Sequence, residues 1–338
     1  MERRAFLETA SAAAGLSLLT NACFHRDRRW PLRIGINDWI GYQVISAAQA
    51  LGFWQQRNLE ADLIEFNNLE DATRALYRQG VDATFTNLWD LLQLCQEEND
   101  LHPAVLWVTN ISYGSDGIVA RPPYQSVADL KGKRVAAKLG SVNQLILLEA
   151  LQTYDLMPQD LEILNLSNEI AVQHLRSGAI DGAVLWQPLL GEVAREIGGK
   201  IVHHTGQIDS LVIDVLAADA RVLEKRPEEF RSLIWVWLDV MQAIQQRPRA
   251  VFEILAEKQG RPVSEIAADY QGLIAGTLSL NINRFSHERP LASKIQKIIA
   301  LAERDPNHPK DLKNAIQVDP AFTLSALKSW QVLPSAPP

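Results

Sequence analysis

Apolar positions along the chain switch repeatedly between a period of two and a period near 3.6. Leu32–Asn37 alternates as a strand does, and Val44, Ala48 and Leu51 share a helical face that Gly52 ends. Leu59–Phe66 alternates again, and Leu69–Gln79 takes helical spacing up to Gly80. Ala83–Thr86 reads as a short strand, Leu88–Glu97 as a helix and Ala104–Thr109 as a strand. Such alternation predicts parallel β-α-β units and an α/β sheet.

The pattern then restarts. Gly117–Ala120 is apolar and runs into the turn-rich "RPPYQSVADLKGK". Strands are predicted at Arg134–Lys138, Leu161–Leu166, Ala183–Trp186, Lys200–His204 and Asp214–Ala217. Helices are predicted between them at Val142–Tyr154, Glu169–Arg176 and Leu189–Ile197. Past Ala218 only helices are expected. Phe230, Leu233, Ile234, Trp237, Met241 and Ile244 form one apolar face, and further helices are read near Ala250–Gln259, Val263–Ile274, Leu291–Ala302 and Thr323–Ser329.

One internal echo stands out. "LYRQGVDATFTNLW" and "LRSGAIDGAVLWQP" each hold a helix end at Gly, then Asp, a short strand and a Trp. The two trios are Gly80, Asp82, Trp89 and Gly178, Asp181, Trp186. The Gly suits a left-handed helix end. The Trp falls near a strand's carboxyl end, where open α/β sheets bind ligands.

Composition adds limits. The chain has 338 residues, 47% hydrophobic and 22% charged, with a net charge of -7 and no long basic run. That argues for a globular protein large enough for two domains and against nucleic-acid binding. Its two cysteines, Cys23 and Cys95, make no metal cage, and Cys95 sits in an apolar helical run as a core residue. "MERRAFLETASAAAGLSLLTNAC" has the layout of an export signal: paired arginines, a short apolar stretch and Ala22 before Cys23. Residues 1–22 are read as the signal and 23–31 as a tether. Arg3–Leu7 resembles a twin-arginine signal, and "LTNAC" resembles a lipobox, in which Cys23 is lipidated. Cleavage after Ala22 without lipidation is the alternative.

Candidate chemistry falls in three groups. Gly140 and Ser141 open a helix straight from a strand, where free N–H groups and the dipole favour an anion. Ser141 as a simple N-cap is the plainer reading, and Lys138 stands nearby. Trp39, Tyr42, Trp89, Tyr113 and Trp186 lie near predicted strand ends. Asp38, Asp116, Glu169 and Asp214 could hold an ammonium beside them. Catalytic patterns are weak: Ser141 lacks a triad context, His203 and His204 point to opposite faces of a strand, and no phosphate-loop or dinucleotide fingerprint occurs. No cofactor is implied.

Taken together, "RIGINDWIGY", "GSDGIVAR", "DLKGKRVAAKLGS" and "LRSGAIDGAVLWQP" resemble, in order and spacing, the substrate-binding proteins of bacterial ABC importers in the nitrate/sulfonate/taurine group. Gln187 stands where that group usually has Glu. The resemblance implies a type II periplasmic binding protein fold, with two α/β lobes joined by two crossing strands and a helical C-terminal part. Lobe one would be 31–118 plus 214–330, and lobe two 119–213. The resemblance maps ligand-binding loops onto Trp39, Gly41, Tyr42, Asn87, Trp89, Ser115, Asp116, Gly140, Ser141, Asn143, Trp186 and Gln187, with Asp214 at the return crossing. It implies a periplasmic monomer that binds a small sulfonate, nitrate or taurine-like solute. Its partners would be an inner-membrane ABC permease with cytoplasmic ATPase and, through Cys23, the membrane itself. A thiamine-type pyrimidine precursor is an alternative solute. A cytosolic enzyme of the same fold, such as a menaquinone-pathway lyase or a pyrimidine synthase, is the alternative in kind, and a ligand-sensing domain for a partner is a third.

Overall fold

The computed structural model describes residues 30–94, 103–286, 288, 290–305 and 316–333. The expected export signal, its twin-arginine motif, Cys23 and Cys95 lie outside the described residues. From Pro31 onward the chain forms one compact unit.

Two sheets organise it. The first contains β1 (Leu32–Ile36), β2 (Ala61–Glu65), β3 (Ala83–Asn87) and β4 (Pro103–Ser112). The second contains β5 (Asp116–Ala120), β6 (Arg134–Ala136), β7 (Glu162–Leu164), β8 (Gly182–Trp186) and β9 (Lys200–His204). The chain then returns to the first sheet with β10 (Ile213–Asp219), β11 (Leu273–Ala275) and β12 (Gln317–Val318). Strand order is β11-β4-β10-β3-β1-β2, with β12 also on β4, and β7-β6-β8-β5-β9. The chain therefore crosses between sheets twice, from β4 to β5 and from β9 to β10.

Each sheet has a parallel core of three strands with one antiparallel strand laid beside it. β1 pairs with β2 and β3 in parallel, and β10 runs against β3. β6 pairs with β7 and β8 in parallel, and β5 runs against β8. The antiparallel strand begins where the parallel ones end. Asp214 at the start of β10 faces Asn87 at the end of β3, and Asp116 at the start of β5 faces Trp186 at the end of β8.

The sequence echo has a structural cause. The Asp82 carboxylate accepts the backbone N–H of Arg33 at 2.9 Å, and that of Asp181 accepts the N–H of Arg134 at 2.9 Å. Each Asp thus ties the entry of its strand to that of the neighbouring parallel strand, in the same way in both sheets. Gly178 adopts the expected left-handed helix end at φ 77°. In the first copy the left-handed residue is Gln79 rather than Gly80.

Several boundaries differ from the sequence reading. The helix expected from Val44 starts at Ile40 and is interrupted by a 3-10 turn at Val44–Ser46. β4 runs three residues beyond Thr109 because all ten of its positions are buried, which removes the alternation that marks strand ends. Strands do occur past Ala218. β11 and β12 are three and two residues long, too short to show a period, and exist because they pair with β4. β11 takes Leu273 and Ile274 from the helix expected over Val263–Ile274, which ends at Gln271. The Phe230 face does form: all six residues are buried in the helix Pro227–Gln246, which packs on the first sheet.

Candidate functional site

A cleft of about 650 Å³ opens where the carboxyl ends of both parallel cores meet. β1 leads into Asn37, Asp38 and Trp39, β3 ends in Asn87, and β10 brings Asp214 beside it. From the second sheet come Asp116, Lys138, Ser141, Asn168, Glu169 and Trp186. The antiparallel strands matter here. Only because β10 and β5 run backwards do their first acids reach the ligand-binding edge of the sheets.

Asp214 organises the first wall. It accepts the Trp39 indole N–H at 3.0 Å and the Tyr42 hydroxyl at 2.7 Å. The Tyr42 ring is itself core, with its centroid 5.7 Å from that of Phe85, so the wall rests on packed aromatic rings. Trp39 and Trp186 are half-buried and keep area for a ligand. Gly41 lies in the helix Ile40–Gln43, and its role is space. A Cβ there would sit 2.4 Å from Asn110 Nδ2 and 2.7 Å from Trp39 Nε1. Gly41→Ala is therefore expected to push the Trp39 indole off Asp214. Solute affinity should fall about 10-fold and stability by about 1–2 kcal/mol. Unchanged affinity and unfolding midpoint would sink this reading.

The cleft is acidic. Asp38, Glu70, Asp90, Asp116, Glu169 and Asp214 line it, against Lys138 as the single basic residue among the described residues of the lining. Burial, added to the nearby Asp116 charge, pushes Asp214 up to about 8 despite its hydrogen bond from Tyr42. Burial pushes Asp90 up to about 7 and Asp116 to about 6. Asp38 is raised by burial and by the charges of Glu169 and Glu65. Burial, with Asp214 beside it, raises Tyr42 well above its usual range.

The helix start at Ser141 is already engaged. The Ser141 hydroxyl donates to the Lys138 carbonyl at 2.8 Å and accepts the Asn143 N–H at 3.3 Å. The Val142 N–H lies near the carboxylate of Asp90, which comes from the other sheet's side of the cleft, and works against the upward push of burial on that acid. The first turn of Val142–Thr153 thus has Asp90 beside it, and its dipole favours that charge.

Of the residues expected in the site, Trp39, Tyr42, Asn87, Asp116, Ser141, Trp186 and Asp214 line the cleft. The other six do not. Trp89 is fully buried in the helix Leu88–Leu94, among Leu88, Leu91 and Leu92. Ser115 is buried under Gly272, where a Cβ would stand 2.0 Å from its hydroxyl. Gly140 is an exposed turn at φ 80° whose N–H goes to Gln144 Oε1 at 2.7 Å. Asn143 braces Asn168 at 2.8 Å and the Val184 carbonyl at 3.1 Å. Gln187 accepts the Gly191 N–H at 3.1 Å within its own helix entry. Gly41 acts from behind, through the space it leaves. Lys138, Asp38 and Glu169 are in the lining, whereas Tyr113 is exposed elsewhere.

Asp90 was not picked out from the sequence. Its signal was a lone acid in the apolar run "LWDLLQL", three residues after Asn87, whose side chain accepts the Asp90 N–H at 2.8 Å. Asn67, Asn68 and Glu70 also line the cleft, from the entry of the helix Leu69–Tyr77. Among the described residues, no cluster of His, Cys, Asp and Glu could hold a metal. No helix of the described residues is long and apolar enough to cross a membrane.

Two α/β halves that share one cleft, joined by two crossings, define a periplasmic binding protein fold. The periplasmic aliphatic sulphonate binding protein SsuA of Escherichia coli superposes with a TM-score of 0.69 at 19% identity, over 83% of this chain and 94% of that one. The desulfurization enzyme DszB matches with a TM-score of 0.61 at 18% identity, over 89% of this chain and 99% of that one. The chain belongs to the NMT1-like family, whose model matches residues 28–256. In sequence it is 25% identical over 213 residues to a Brucella abortus binding protein, covering 60% of each chain. It is 27% identical over 176 residues to the taurine-binding periplasmic protein of Escherichia coli, covering 49% of this chain and 53% of that one. The matched region thus spans little more than half of these relatives.

Proposed function

We propose that this chain is the extracytoplasmic solute-binding component of an ABC importer. The observation that carries the reading is the 650 Å³ cleft at the carboxyl ends of two sheets linked by two crossings. Such a layout suits two lobes, 31–118 plus 214–330 and 119–213, that enclose a solute by hinge closure. The relatives named as binding proteins, one of them periplasmic and taurine-binding, support it. They also put small sulfonates, taurine among them, on the list of solutes to try. Export by residues 1–22, a lipid anchor at Cys23, a monomeric state and docking on a permease with cytoplasmic ATPase complete the reading.

Binding without turnover fits the lining. No cysteine or histidine is among the described residues of the cleft, and the Ser141 hydroxyl is committed to a backbone carbonyl. The fold itself is also used by DszB, an enzyme, so turnover is the outcome to test. Purified protein should give a saturable tryptophan fluorescence change with a solute from a panel of taurine, alkanesulfonates, nitrate, amines and pyrimidines, and should leave that solute chemically unchanged. No response across the panel would remove the support for a solute-binding role, and conversion of a hit would overturn binding alone.

Trp186→Ala and Trp39→Ala are expected to weaken binding at least 10-fold, with unfolding midpoints close to that of the parent protein. Loss of folding, as seen by circular dichroism, would instead place these rings in the core.

A further inference from the structure

We propose that the cleft recognises its solute through a protonated nitrogen, an amine or amidine carried on a flat, partly apolar body, and not through a sulfonate or nitrate group. The proposal rests on the solute-binding reading and narrows it to one chemical class.

Three observations support it. The lining is one-sided in charge, with six carboxyls and Lys138 alone opposite them. An acidic lining alone would describe a solvated groove, but this one is buried at its floor. Asp116 is 3% exposed and Asp90 4% exposed, yet Oδ2 of Asp116 and Oδ1 of Asp90 have no hydrogen-bond partner among the described residues. Buried carboxylate oxygens normally have a partner, and of the three among the described residues that lack one, these two belong to residues of the cleft lining and so call for a donor from the cleft. A cationic N–H group supplies both the donor and the charge.

The three deep acids also lie near one point, the Tyr42 hydroxyl. Asp214 accepts the Tyr42 hydroxyl at 2.7 Å, and Asp90 and Asp116 are near enough that both add to the cost of ionising that phenol. They come from both sides of the cleft: Asp90 and Asp214 from the first sheet's elements, and Asp116 from the start of β5 in the second. A cation at this point is held from both sides, which is what closure needs. Trp39 and Trp186, half-buried in the same lining, offer indole faces to a flat body and to its positive charge.

An oxyanion lacks these partners. The backbone donors it would seek near the start of Val142–Thr153 are largely engaged: Gly140 N–H by Gln144 and Asn143 N–H by Ser141, with the Asp90 carboxylate beside Val142 N–H. The donors around Asp214 point at Asp214 itself, from Trp39 and Tyr42. Lys138 is the one remaining positive charge in the lining.

The test uses three probes with the same ring and different heads, titrated into the purified protein by calorimetry at pH 8: benzylamine, benzyl alcohol and benzenesulfonate. Benzylamine should bind at least 10-fold tighter than benzyl alcohol, and benzenesulfonate weakest of all. Asp116→Asn, which keeps the shape and removes the charge, should erase most of the difference between benzylamine and benzyl alcohol while the thermal midpoint shows the variant folded. Benzenesulfonate binding as tightly as benzylamine, or benzylamine binding no better than the alcohol, overturns the proposal and leaves the solute-binding reading standing. Silence from all three probes also overturns it, and the fluorescence panel above then judges the broader reading separately. Should Asp116→Asn fail to fold, Asp90→Asn gives the same comparison from the opposite side of the cleft.

Discussion

Raising the pH from 5.5 to 8 is expected to lower the thermal midpoint of the ligand-free protein by roughly 10 °C. Four buried carboxyls set the direction. Burial raises Asp214 to about 8, Asp90 to about 7 and Asp116 to about 6. It also raises Glu149, which accepts the Leu211 N–H, to about 7. In the unfolded chain these groups return to 3.8 for Asp and 4.5 for Glu. Below about pH 4 both states hold the protons and the groups contribute nothing. As the pH rises, the unfolded chain releases them first, so unfolding is favoured until each folded carboxyl ionises too. Each pH unit in which one folded carboxyl keeps a proton that the unfolded chain has lost costs about 1.4 kcal/mol.

The window therefore runs from about pH 4 to about pH 8. His203 works against this at the acid end, because burial beside His204 lowers it from 6.5 to about 4. Below pH 6.5 that one group destabilises the fold as the pH falls, but it offsets only one of the four carboxyls, so stability should still fall as the pH rises across the window. Asp38, Glu70, Glu169, Tyr42 and Lys138 face the same cleft, and of these only Lys138 brings positive charge. A bound cation should flatten the loss at pH 8. Calorimetric scans across this range decide the matter, and a midpoint that climbs steadily from pH 5.5 to 8 would refute the assignment of buried, protonated carboxyls.

Asp239→Ala is expected to destabilise the protein by about 3–5 kcal/mol. Asp239 lies in the helix Pro227–Gln246 and meets Arg57 in two hydrogen bonds, Nε to Oδ2 and Nη2 to Oδ1, each 2.6 Å long. Their side chains are 2% and 9% exposed, so the pair is desolvated. The same carboxylate accepts the Trp330 indole N–H at 2.9 Å, and Arg57 donates to the Gln331 carbonyl at 2.6 Å. One acid thus joins the helix end near Arg57, the long helix and the C-terminal segment. Removing it leaves a buried guanidinium without its counter-charge and an indole N–H without its acceptor. The Asp239→Leu, Arg57→Met double variant removes both charges and should cost less than the single change. Denaturant titrations measure both. A single-variant loss under 1 kcal/mol, or a double variant no better than the single one, would show that the pair is not the tie it resembles.

Much of the architecture was legible because periodicity reports which face of an element is apolar. The alternation of Leu32–Asn37 and the face through Phe230, Trp237 and Ile244 were read directly, and their side chains are buried as that face requires. Legibility failed where burial was uniform or where the element was very short. All ten residues of β4 are buried, so its end at Ser112 left no mark, and β11 has only three residues. The site was read in the same uneven way. Trp39 and Trp186 follow strand ends, and both lie in the cleft lining. Trp89 follows a strand end too, but its helix turns the ring into the core. Nothing local distinguishes the two outcomes.

By itself the sequence determined the order of strands and helices, the two Gly–Asp–Trp echoes, and the aromatic residues near strand ends. Local pattern carries these because each depends on a run of a few neighbouring residues. Only the tertiary structure decided that Asp90, Asp116 and Asp214 line one cleft, that Asp90 lies beside the helix start read as an anion site, and that Gly41 yields its space to Asn110. Those outcomes depend on pairings such as Asp214 with Asn87 and Asp116 with Trp186, which join residues about 70 to 130 positions apart. Charge in a sequence has no direction until the antiparallel strands bring it to one edge, and there burial turns separate acids into a single recognising group.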